Sequence, residues 1–521
     1  MEKVEFEEFL KTNVLSIFTG SVIVGEEPST TRDALVALGA GGSLLVKFRK
    51  NDDVRFVIKR SQPFKNFEVN LVKAIVTELL EIYNGQLGKS EYFPVLQNHV
   101  IEKAICKSVS EASYETILKI VSEMTKWGNR TYEGQRALFG FLICSIKAPK
   151  NVNPNLHISK ILNENFGAVI ADGMTTCLKI SSDGYLLNYL QIPDARDQNI
   201  PAPFNYIDMG NMCTGSRVGV TLSRTGDVLL FHQKSMVFAK KCGVWSRYSH
   251  EEIISRIADK TSEQADSTRK SIYLSALDVS FARTGGCVVH LDKDQEEAVL
   301  SHIDMSDILI EKYYDIKCEQ IKEELKNSGV SDEDLPQKVP FSELITTTKC
   351  TKTANIINMI NGRKFYELSR KLRQELISVD GATIINNDGD VVAVGAIIMI
   401  ETGGFSGGRL AASKTLSKYG VSLKISADGQ IQGFKFDKHK QKSVPIFMLG
   451  WNKNSWKRKQ VMLKYILIGE IYEKDINASS WHKWLLAKRN GIKRKSKKWN
   501  FKNIQKVWFY ANICTNFRRY R

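Results

Sequence analysis

Apolar residues recur at the spacing of an amphipathic helix in three long stretches of the chain. The first stretch contains Leu71, Val72, Ile75, Val76, Leu79, Leu80 and Tyr83. Asn84-Gly85 follows it and favours the end of a helix. The second stretch extends from about Ile308 to Asn327, and the third from about Asn355 to Ile377. We therefore predict three helices, the last of which delivers the chain to Ser378-Val379-Asp380.

Between the helical stretches, short apolar or alternating runs flank turns that contain Asp-Gly or Gly-Asp. Such turns supply a residue that tolerates positive φ, which a tight hairpin requires. The four clearest are Ser182-Asp183-Gly184, Thr225-Gly226-Asp227, Asn387-Asp388-Gly389 and Ala427-Asp428-Gly429. The alternation of helix and strand signals predicts a mixed α/β or α+β fold with two sheet-bearing domains. With the polar segment 249–270 as the boundary, we predict domains at residues 1–255 and 256–450.

Charge separates a third region from these two. The chain of 521 residues carries a net charge of +17. Residues 451–521 hold 19 Lys plus Arg against three acids, or +16, which leaves 55 minus 54, or +1, for residues 1–450. The tail also contains six of the eight tryptophans and no proline. We interpret 451–521 as an appended element on a nearly neutral main body.

Cysteine usage and hydropathy bear on the compartment. The nine cysteines are scattered singly, without CxxC pairs, as is typical of thiols in a reducing environment. The first eight residues are acidic where a secretory signal would be basic and then apolar. The longest apolar run, residues 391–400, is too short to span a bilayer. We expect a cytoplasmic protein without membrane contact.

Asp380-Gly381-Ala382-Thr383 is the first candidate for a functional site. A carboxylate here precedes an apolar strand, and Gly381 and Ala382 allow a ligand to approach the backbone closely. An ionised Asp380 in this position could hold a divalent metal or accept a proton from a sugar hydroxyl. By itself an Asp-Gly pair before a strand is more often a plain turn.

A glycine-rich turn supplies the second candidate. Residues 401–409 precede a helical pattern at 410–419 that Gly420 stops. Backbone N–H groups at such a helix start, together with Ser406 and Arg409, suit a phosphate. The glycines concerned are Gly403, Gly404, Gly407 and Gly408. A flexible strand-to-helix loop is the alternative interpretation.

In this order and spacing, the two motifs resemble the catalytic half of the diadenylate cyclase (DAC) domain. That family has Asp-Gly-Ala on a strand and, some 25 to 30 residues later, Gly-Thr-Arg-His-Arg at the start of a helix. Residues 272–289 are similar to its opening helix and first core strand, and residues 421–429 resemble its closing hairpin. The resemblance covers about 190 residues, from 256 to 450.

The resemblance implies a mixed sheet wrapped by helices that binds ATP with Mn²⁺ or Mg²⁺. Two subunits of a homodimer, or of a higher homo-oligomer, would face each other and join two ATP molecules into cyclic di-AMP. Asp380 would lie near the metal and the attacking hydroxyl. Gly381, Ala382 and Thr383 would line the nucleotide pocket, and Arg409 would contact phosphate.

One departure from the family weakens the implied catalysis. Where the family has Arg-His-Arg, this chain has Arg409-Leu410-Ala411, and Gly408 replaces the preceding threonine. Each lost phosphate-facing donor can cost roughly 10²-fold in rate. Either other residues compensate, with Ser413 and Lys414 the nearest candidates, or the domain binds nucleotide without cyclising it.

Residues 1–255 resemble more weakly the DACNV-type sensor regions that precede divergent members of this family. The resemblance lies in residues 132–136 and 167–176. Asp172-Gly173 there parallels Asp380-Gly381, which leaves a duplicated nucleotide-binding fold conceivable. We favour a plain structural hairpin at this position.

The tail and the whole chain leave functional alternatives open. Residues 451–521 could neutralise phosphates and stack on bases of a nucleic acid. A solvated extension, or out-of-frame translation of AT-rich DNA, would give the same composition. For the chain as a whole we expect a diadenylate-cyclase-like nucleotidyltransferase gated by its N-terminal region. A catalytically inactive nucleotide or cyclic-dinucleotide sensor is the alternative, and a nucleic-acid-binding protein is a weaker one.

Overall fold

The described part of the chain is a mixed α/β structure. The computed structural model describes residues 3–84, 93–128, 131–132, 134–162, 170–195, 197–258, 262–346, 351–400 and 407–450. Its helices are α1 Lys3–Phe9, α2 Leu15–Ile17, α3 Asn66–Asn84, α4 Phe93–Val109, α5 Tyr114–Trp127, α6 Ile158–Ile161, α7 Ile207–Met212, α8 His250–Ile257, α9 Glu263–Ala282, α10 Glu296–Leu300, α11 Glu311–Asn327, α12 Phe341–Thr346, α13 Thr351–Ile360, α14 Arg370–Ser378 and α15 Gly408–Leu416.

The strands form three sheets and one short ribbon. They are β1 Val22–Pro28, β2 Val36–Leu38, β3 Leu44–Val46, β4 Val54–Lys59, β5 Thr131–Tyr132, β6 Gln135–Arg136, β7 Phe139–Ile143, β8 Thr176–Ile180, β9 Leu186–Gln191, β10 Val218–Leu222, β11 Val228–His232, β12 Ser235–Lys241, β13 Val244–Arg247, β14 Gly286–Leu291, β15 Ala382–Ile385, β16 Val391–Ala396, β17 Gly420–Ile425, β18 Ile431–Asp437 and β19 Lys442–Leu449. The predicted mixed α/β class is confirmed.

The N-terminal sheet is antiparallel, with the strand order β1-β4-β3-β2. Helices α1 to α5 share one hydrophobic core with it. The helix predicted around residues 71–83 is α3, and its apolar stripe from Leu71 to Leu79 is buried, so this prediction is confirmed. The stripe buries because residues three and four apart lie on the same face of a helix.

The two larger sheets have the same topology. The seven-stranded sheet has the order β13-β12-β11-β10-β7-β8-β9, and the six-stranded sheet has the order β19-β18-β17-β14-β15-β16. In each, the first strand pairs in parallel with the second, and every other described pairing is antiparallel. Apart from the extra edge strand β13, the described part of the chain thus repeats one strand arrangement.

The helices around these strands repeat as well. A helix precedes the first strand of each sheet, α5 before β7 and α9 before β14. A shorter helix enters at the same point of each, α7 between β9 and β10 and α15 between β16 and β17. We call residues 114–241 the first repeat and residues 263–449 the second repeat. The strand arrangement is therefore duplicated, whereas the nucleotide-binding part of the alternative raised by the Asp172-Gly173 parallel stays a prediction.

The four predicted hairpin turns all join neighbouring antiparallel strands. Their glycines have positive φ, from +77° at Gly226 to +94° at Gly429. Glycine tolerates this backbone conformation because it has no Cβ atom. The turns therefore confirm the hairpin prediction.

The third predicted helix, 355–377, is wrong as a single element. The chain instead forms α13, a 3₁₀ turn at Phe365–Glu367, and then α14. Asn361 and Gly362 both have positive φ, +50° and +69°, and this backbone conformation ends α13. The apolar face of α13 is buried. The second predicted helix corresponds to α11 and begins at Glu311.

One hydrophobic core is shared by both repeats. It contains Leu142 and Phe231 from the seven-stranded sheet together with Val288 and Leu423 from the six-stranded sheet. All six residues of β14 are buried, because sheet neighbours and packed helices surround this central strand. The division at residues 1–255 and 256–450 stays a prediction. Within the described residues, no helix is long and apolar enough to cross a lipid bilayer.

Candidate functional site

Asp380 lies where the chain leaves α14 and enters β15. Gly381 follows with φ +107°, and a Cβ atom built on it would lie 2.4 Å from the carbonyl carbon of Gly395. A side chain at position 381 would therefore collide with β16, where the pairing of β15 and β16 is irregular. The side chain of Asp380, which precedes this close approach, is 93% exposed.

Arg409, in the first turn of α15, reaches the end of the six-stranded sheet at which Asp380 lies. We call this region the Asp380 edge. The Nη2 atom of Arg409 lies 3.6 Å from Oδ1 of Asp380, and the Arg409 side chain is 35% exposed. The guanidinium passes directly over Gly285, where a Cβ atom would lie 2.6 Å from Nη1. The tertiary structure thus brings together the two residues that the sequence proposed as catalytic.

Two lysines add positive charge around this pair. Lys352 on α13 donates to Asp307, with Nζ 2.5 Å from Oδ1, and its Nζ lies 3.5 Å from the carbonyl oxygen of Gly395. Burial lowers the pKa of Lys424 on β17, and the Arg409 guanidinium lowers it further, while Asp428 acts in the opposite direction. Each of these cations has an acid beside it, Asp380, Asp307 or Asp428, so the named charges of the edge balance and an anionic ligand would have to compete with Asp380 for Arg409.

The remaining predicted residues divide between the edge and the core. Gly407 and Gly408 are exposed, and a Cβ atom on either would meet nothing within 4 Å. Ala382 and Thr383 are buried, and the Thr383 hydroxyl donates to the carbonyl of Leu376. Of the proposed glycine-rich turn, Gly403, Gly404 and Ser406 lie outside the described residues.

Ser413 is not brought to the edge. Its side chain is fully buried, and its Oγ lies 3.0 Å from Oγ of Ser422 on β17. The Ser422 hydroxyl in turn donates to the backbone carbonyl of Ser413. These contacts hold α15 against the sheet, so in this arrangement Ser413 faces the core and does not compensate for the missing family donors. Lys414, the other candidate, is exposed.

The segment between α9 and β14 is part of the family resemblance, but the resemblance assigns it no role in the site. The hydroxyls of Thr284 and Ser378 share a hydrogen bond of 2.8 Å, which ties the end of α9 to the end of α14 beside Asp380. Gly285 then provides the surface on which Arg409 lies. Thr284-Gly285-Gly286 is a visible signal in the sequence, but only the fold places it next to Arg409.

Whether Asp380 could hold the predicted metal depends on which other ligands lie near it. No cluster of three or more His, Cys, Asp or Glu side chains suited to a metal occurs in the described part of the chain. Asp380 could supply one ligand to a Mg²⁺ or Mn²⁺ ion whose other ligands are phosphate oxygens and waters, which is how Mg²⁺ usually binds with nucleotides. The described side chains alone do not provide a complete set of ligands for a metal at Asp380.

In the first repeat, the carboxylate of Asp172 is hydrogen-bonded within its own loop, whereas that of Asp380 is exposed. Its carboxylate accepts hydrogen bonds from the N–H groups of Met174, Thr175 and Thr176, at 2.8, 2.8 and 3.1 Å. Burial would raise the pKa of Asp172, but these N–H donors lower it below its usual value. Asp172 thus stabilises its own loop, in agreement with the structural role favoured for it.

No family model and no curated protein matches this sequence.

Proposed function

We propose that the Asp380 and Arg409 edge of the six-stranded sheet binds the phosphates of a nucleotide, ATP in the first instance. The observation that supports this is the convergence of an exposed carboxylate and a half-exposed guanidinium, 3.6 Å apart, on a glycine-lined surface. A guanidinium suits phosphate because it can donate two parallel hydrogen bonds.

The proposed activity is that of a diadenylate-cyclase-like nucleotidyltransferase in a cytoplasmic protein. Two chains would face each other, each with one ATP, and each 3′-hydroxyl would attack the α-phosphate of the other nucleotide. Two pyrophosphates would leave, and a cyclic dinucleotide would remain. Asp380 would accept a hydroxyl proton or bind a metal together with the phosphates, and Arg409 would contact phosphate.

One observation favours nucleotide binding without turnover as a second candidate function. After Arg409, the first turn of α15 presents Leu410 and Ala411, which carry no hydrogen-bond donors in their side chains. Ser413 is committed to Ser422. A site with fewer donors for the transferring phosphoryl groups stabilises the transition state less, while ground-state binding of phosphate can persist.

Mass spectrometry of the products formed from ATP with Mn²⁺ or Mg²⁺ separates the two candidates. A cyclic dinucleotide that disappears in Asp380→Asn supports the cyclase. No product, together with ATP binding in calorimetry, supports the sensor. Activity that survives Asp380→Asn would show that the site is wrongly assigned.

Arg409→Gln tests the phosphate contact itself. A lost charge-assisted hydrogen bond is worth about 1.5–3 kcal/mol, so we expect ATP binding to weaken at least about tenfold. The matched control is Arg32→Gln, which removes an exposed arginine from the loop between β1 and β2. Equal affinities for the two variants would contradict the proposal.

Nucleic-acid binding by residues 451–521 stays a prediction, since the tail lies outside the described residues. Removing these residues should reduce nucleic-acid affinity and flatten its dependence on salt concentration, because fewer counterions would be released. Unchanged affinity and salt slope would exclude this role.

A further inference from the structure

We propose that a second ligand site, a cavity of about 430 Å³ between the first repeat and two helices of the second, binds a mononucleotide. The cavity lies between the edge of the seven-stranded sheet and helices α9 and α14. Its size falls near the lower end of the range for small-molecule sites, roughly 300–1,000 Å³, and so suits one nucleotide better than two. This inference goes beyond the proposed function, because it concerns a different site.

Part of the cavity is built from first-repeat elements that correspond to those forming the Asp380 edge in the second repeat. Met174, the residue after Asp172-Gly173, lines it as the counterpart of Ala382. Residues 223–225 line it from the β10–β11 turn, and the corresponding β17–β18 turn lies beside Gly285 at the Asp380 edge. Residues 203–206 line the cavity and precede α7, just as Gly407 precedes the corresponding helix α15. The cavity therefore lies at the end of the seven-stranded sheet that corresponds to the Asp380 edge of the six-stranded sheet.

Aromatic side chains provide the surface for a planar base. Phe204, Tyr206 and Phe281 near the end of α9 all line the cavity. Stacking of a base on an aromatic ring is worth about 1–3 kcal/mol and needs no particular base. Burial raises the pKa of Tyr206, so its hydroxyl stays protonated and can donate a hydrogen bond at neutral pH.

Cationic side chains provide for a phosphate. Arg224 in the β10–β11 turn is exposed, and it forms no hydrogen bond or ion pair with any other residue that the structure describes. Lys371 on α14 lines the cavity too, although it pairs with exposed Glu375 at 2.7 Å. The one carboxylate in the lining, Asp278, is neutralised by Arg370 at 2.7 and 2.9 Å. The lining therefore has a positive excess that an anion would balance.

Polar groups that could orient the ligand complete the lining. Asn205 and Gln374 each carry a side-chain amide, which can both donate to and accept from a base edge. The hydroxyls of Ser223 and Thr225 also line the cavity, but they lie 2.8 Å apart and both bond to Asp227, so they stabilise the turn that holds Arg224. The lining thus combines aromatic rings with charged and amide side chains, as recognition of a base and a phosphate requires.

The ligand is expected to be bound and not transformed. The carboxylate that would correspond to Asp380 is Asp172, and it is held by three backbone N–H groups of its own loop. Asp278 is held by Arg370 and by the N–H of Phe204 at 2.7 Å. Neither carboxylate is free to take a proton from a sugar hydroxyl. The cavity thus suits a sensing role for the first repeat.

Calorimetric titration of the full-length chain with ATP tests the proposal. In an Arg409→Gln background, which weakens the other site, we expect one binding event of unchanged affinity, and Arg224→Gln should weaken that event at least about tenfold. The matched control is Arg217→Gln, which removes an exposed arginine at the opposite end of β10. An unchanged affinity in Arg224→Gln overturns the proposal, as does the absence of any binding in the Arg409→Gln chain.

Two further measurements fix the location and the ligand class. Hydrogen exchange should slow in residues 203–206 and 223–225 when ATP is added, and slowing confined to the Asp380 edge would overturn the proposal. Adenosine and ribose 5-phosphate should each bind at least about tenfold more weakly than AMP, because each lacks one of the two recognised groups. If the Asp380 edge binds nothing, the wild-type chain will still bind one nucleotide and lose it in Arg224→Gln, so the two proposals fail separately.

Discussion

Gly381 shows how one backbone conformation sets up the candidate site. Its φ of +107° is strained for any side chain, and an added Cβ atom would lie 2.4 and 2.5 Å from the carbonyl carbon and oxygen of Gly395. We expect Gly381→Ala to lower the free energy of unfolding by roughly 1–3 kcal/mol or more. Urea denaturation measures this. The control is Gly408→Ala, where φ is not positive and the space is open, so no loss is expected; an equal loss in both variants would contradict the argument.

Lys241 is a residue whose charge the fold disfavours. Its side chain is buried, with Nζ 3.5 Å from the centre of the Phe281 ring and without a hydrogen-bond partner among the described residues. Burial lowers its pKa from 10.5 to about 8, although Asp227 opposes this. Between these two pH values the unfolded chain binds more protons than the folded chain, so this residue makes stability rise with pH.

Replacing Lys241 by an apolar residue should therefore change stability in a pH-dependent way. Below about pH 8 both states carry the charge, and the folded state bears the full cost of burying it, about 1.4 kcal/mol for each unit of pKa shift. Lys241→Met should therefore be more stable than the wild type at pH 7. The difference should shrink as the pH rises from 8 to 10.5. Urea unfolding of both proteins at pH 7 and pH 10 measures it, and a difference independent of pH would refute the assignment.

At the scale of elements, one buried ion pair joins α9 to α14. Arg370 donates to both carboxylate oxygens of Asp278, and its side chain also donates to the carbonyls of Gln198 and Ile200 at 3.0 Å. Both charged side chains are completely buried. Burial raises the pKa of Asp278 to about 6, against the lowering by Arg370, so the carboxylate is ionised at neutral pH.

Breaking this pair should cost about 3–5 kcal/mol, because the remaining charge would be buried without a partner. We expect that loss in the free energy of unfolding for Arg370→Met, measured by chemical denaturation. The matched control is Lys322→Met on α11, whose exposed pair with Glu319 should contribute less than about 1 kcal/mol. Comparable losses in the two variants would refute a structural role for the buried pair.

At the scale of the whole molecule, the described residues are connected across the predicted domain boundary. The Thr19 hydroxyl donates to the carbonyl of Gly450, and the Gln62 amide donates to that of Met448. Arg283 at the end of α9 pairs with Asp227 of the seven-stranded sheet at 3.0 Å. Together with the core shared by both repeats, these contacts join the beginning of the chain to its last described strand.

We therefore expect one cooperative thermal transition for the two repeats and the N-terminal sheet. Differential scanning calorimetry of the full-length chain measures it. Two well-separated transitions, of which ATP raises only one, would instead show that residues 1–255 and 256–450 unfold as independent domains. A bound nucleotide should raise the transition temperature, because it binds the folded state alone.

The sequence by itself determined the local features of this protein. The α3 stripe, the four hairpin turns and the mixed α/β class follow from periodicity and turn chemistry, which act over a few residues. The order of Asp380, the strand hairpin and the Arg409 turn was also sufficient to predict one edge of the second repeat as a site.

Only the tertiary structure decided the rest, because it depends on contacts between residues far apart in the chain. The parallel pairing of β14 with β15 joins Val288 to Thr383 across five helices, and no local pattern specifies it. The same packing turns Ser413 into the core and leaves Asp380 exposed beside Arg409. It also repeats one topology in two halves whose site residues differ, so the cavity next to Arg224 becomes visible only in the folded chain.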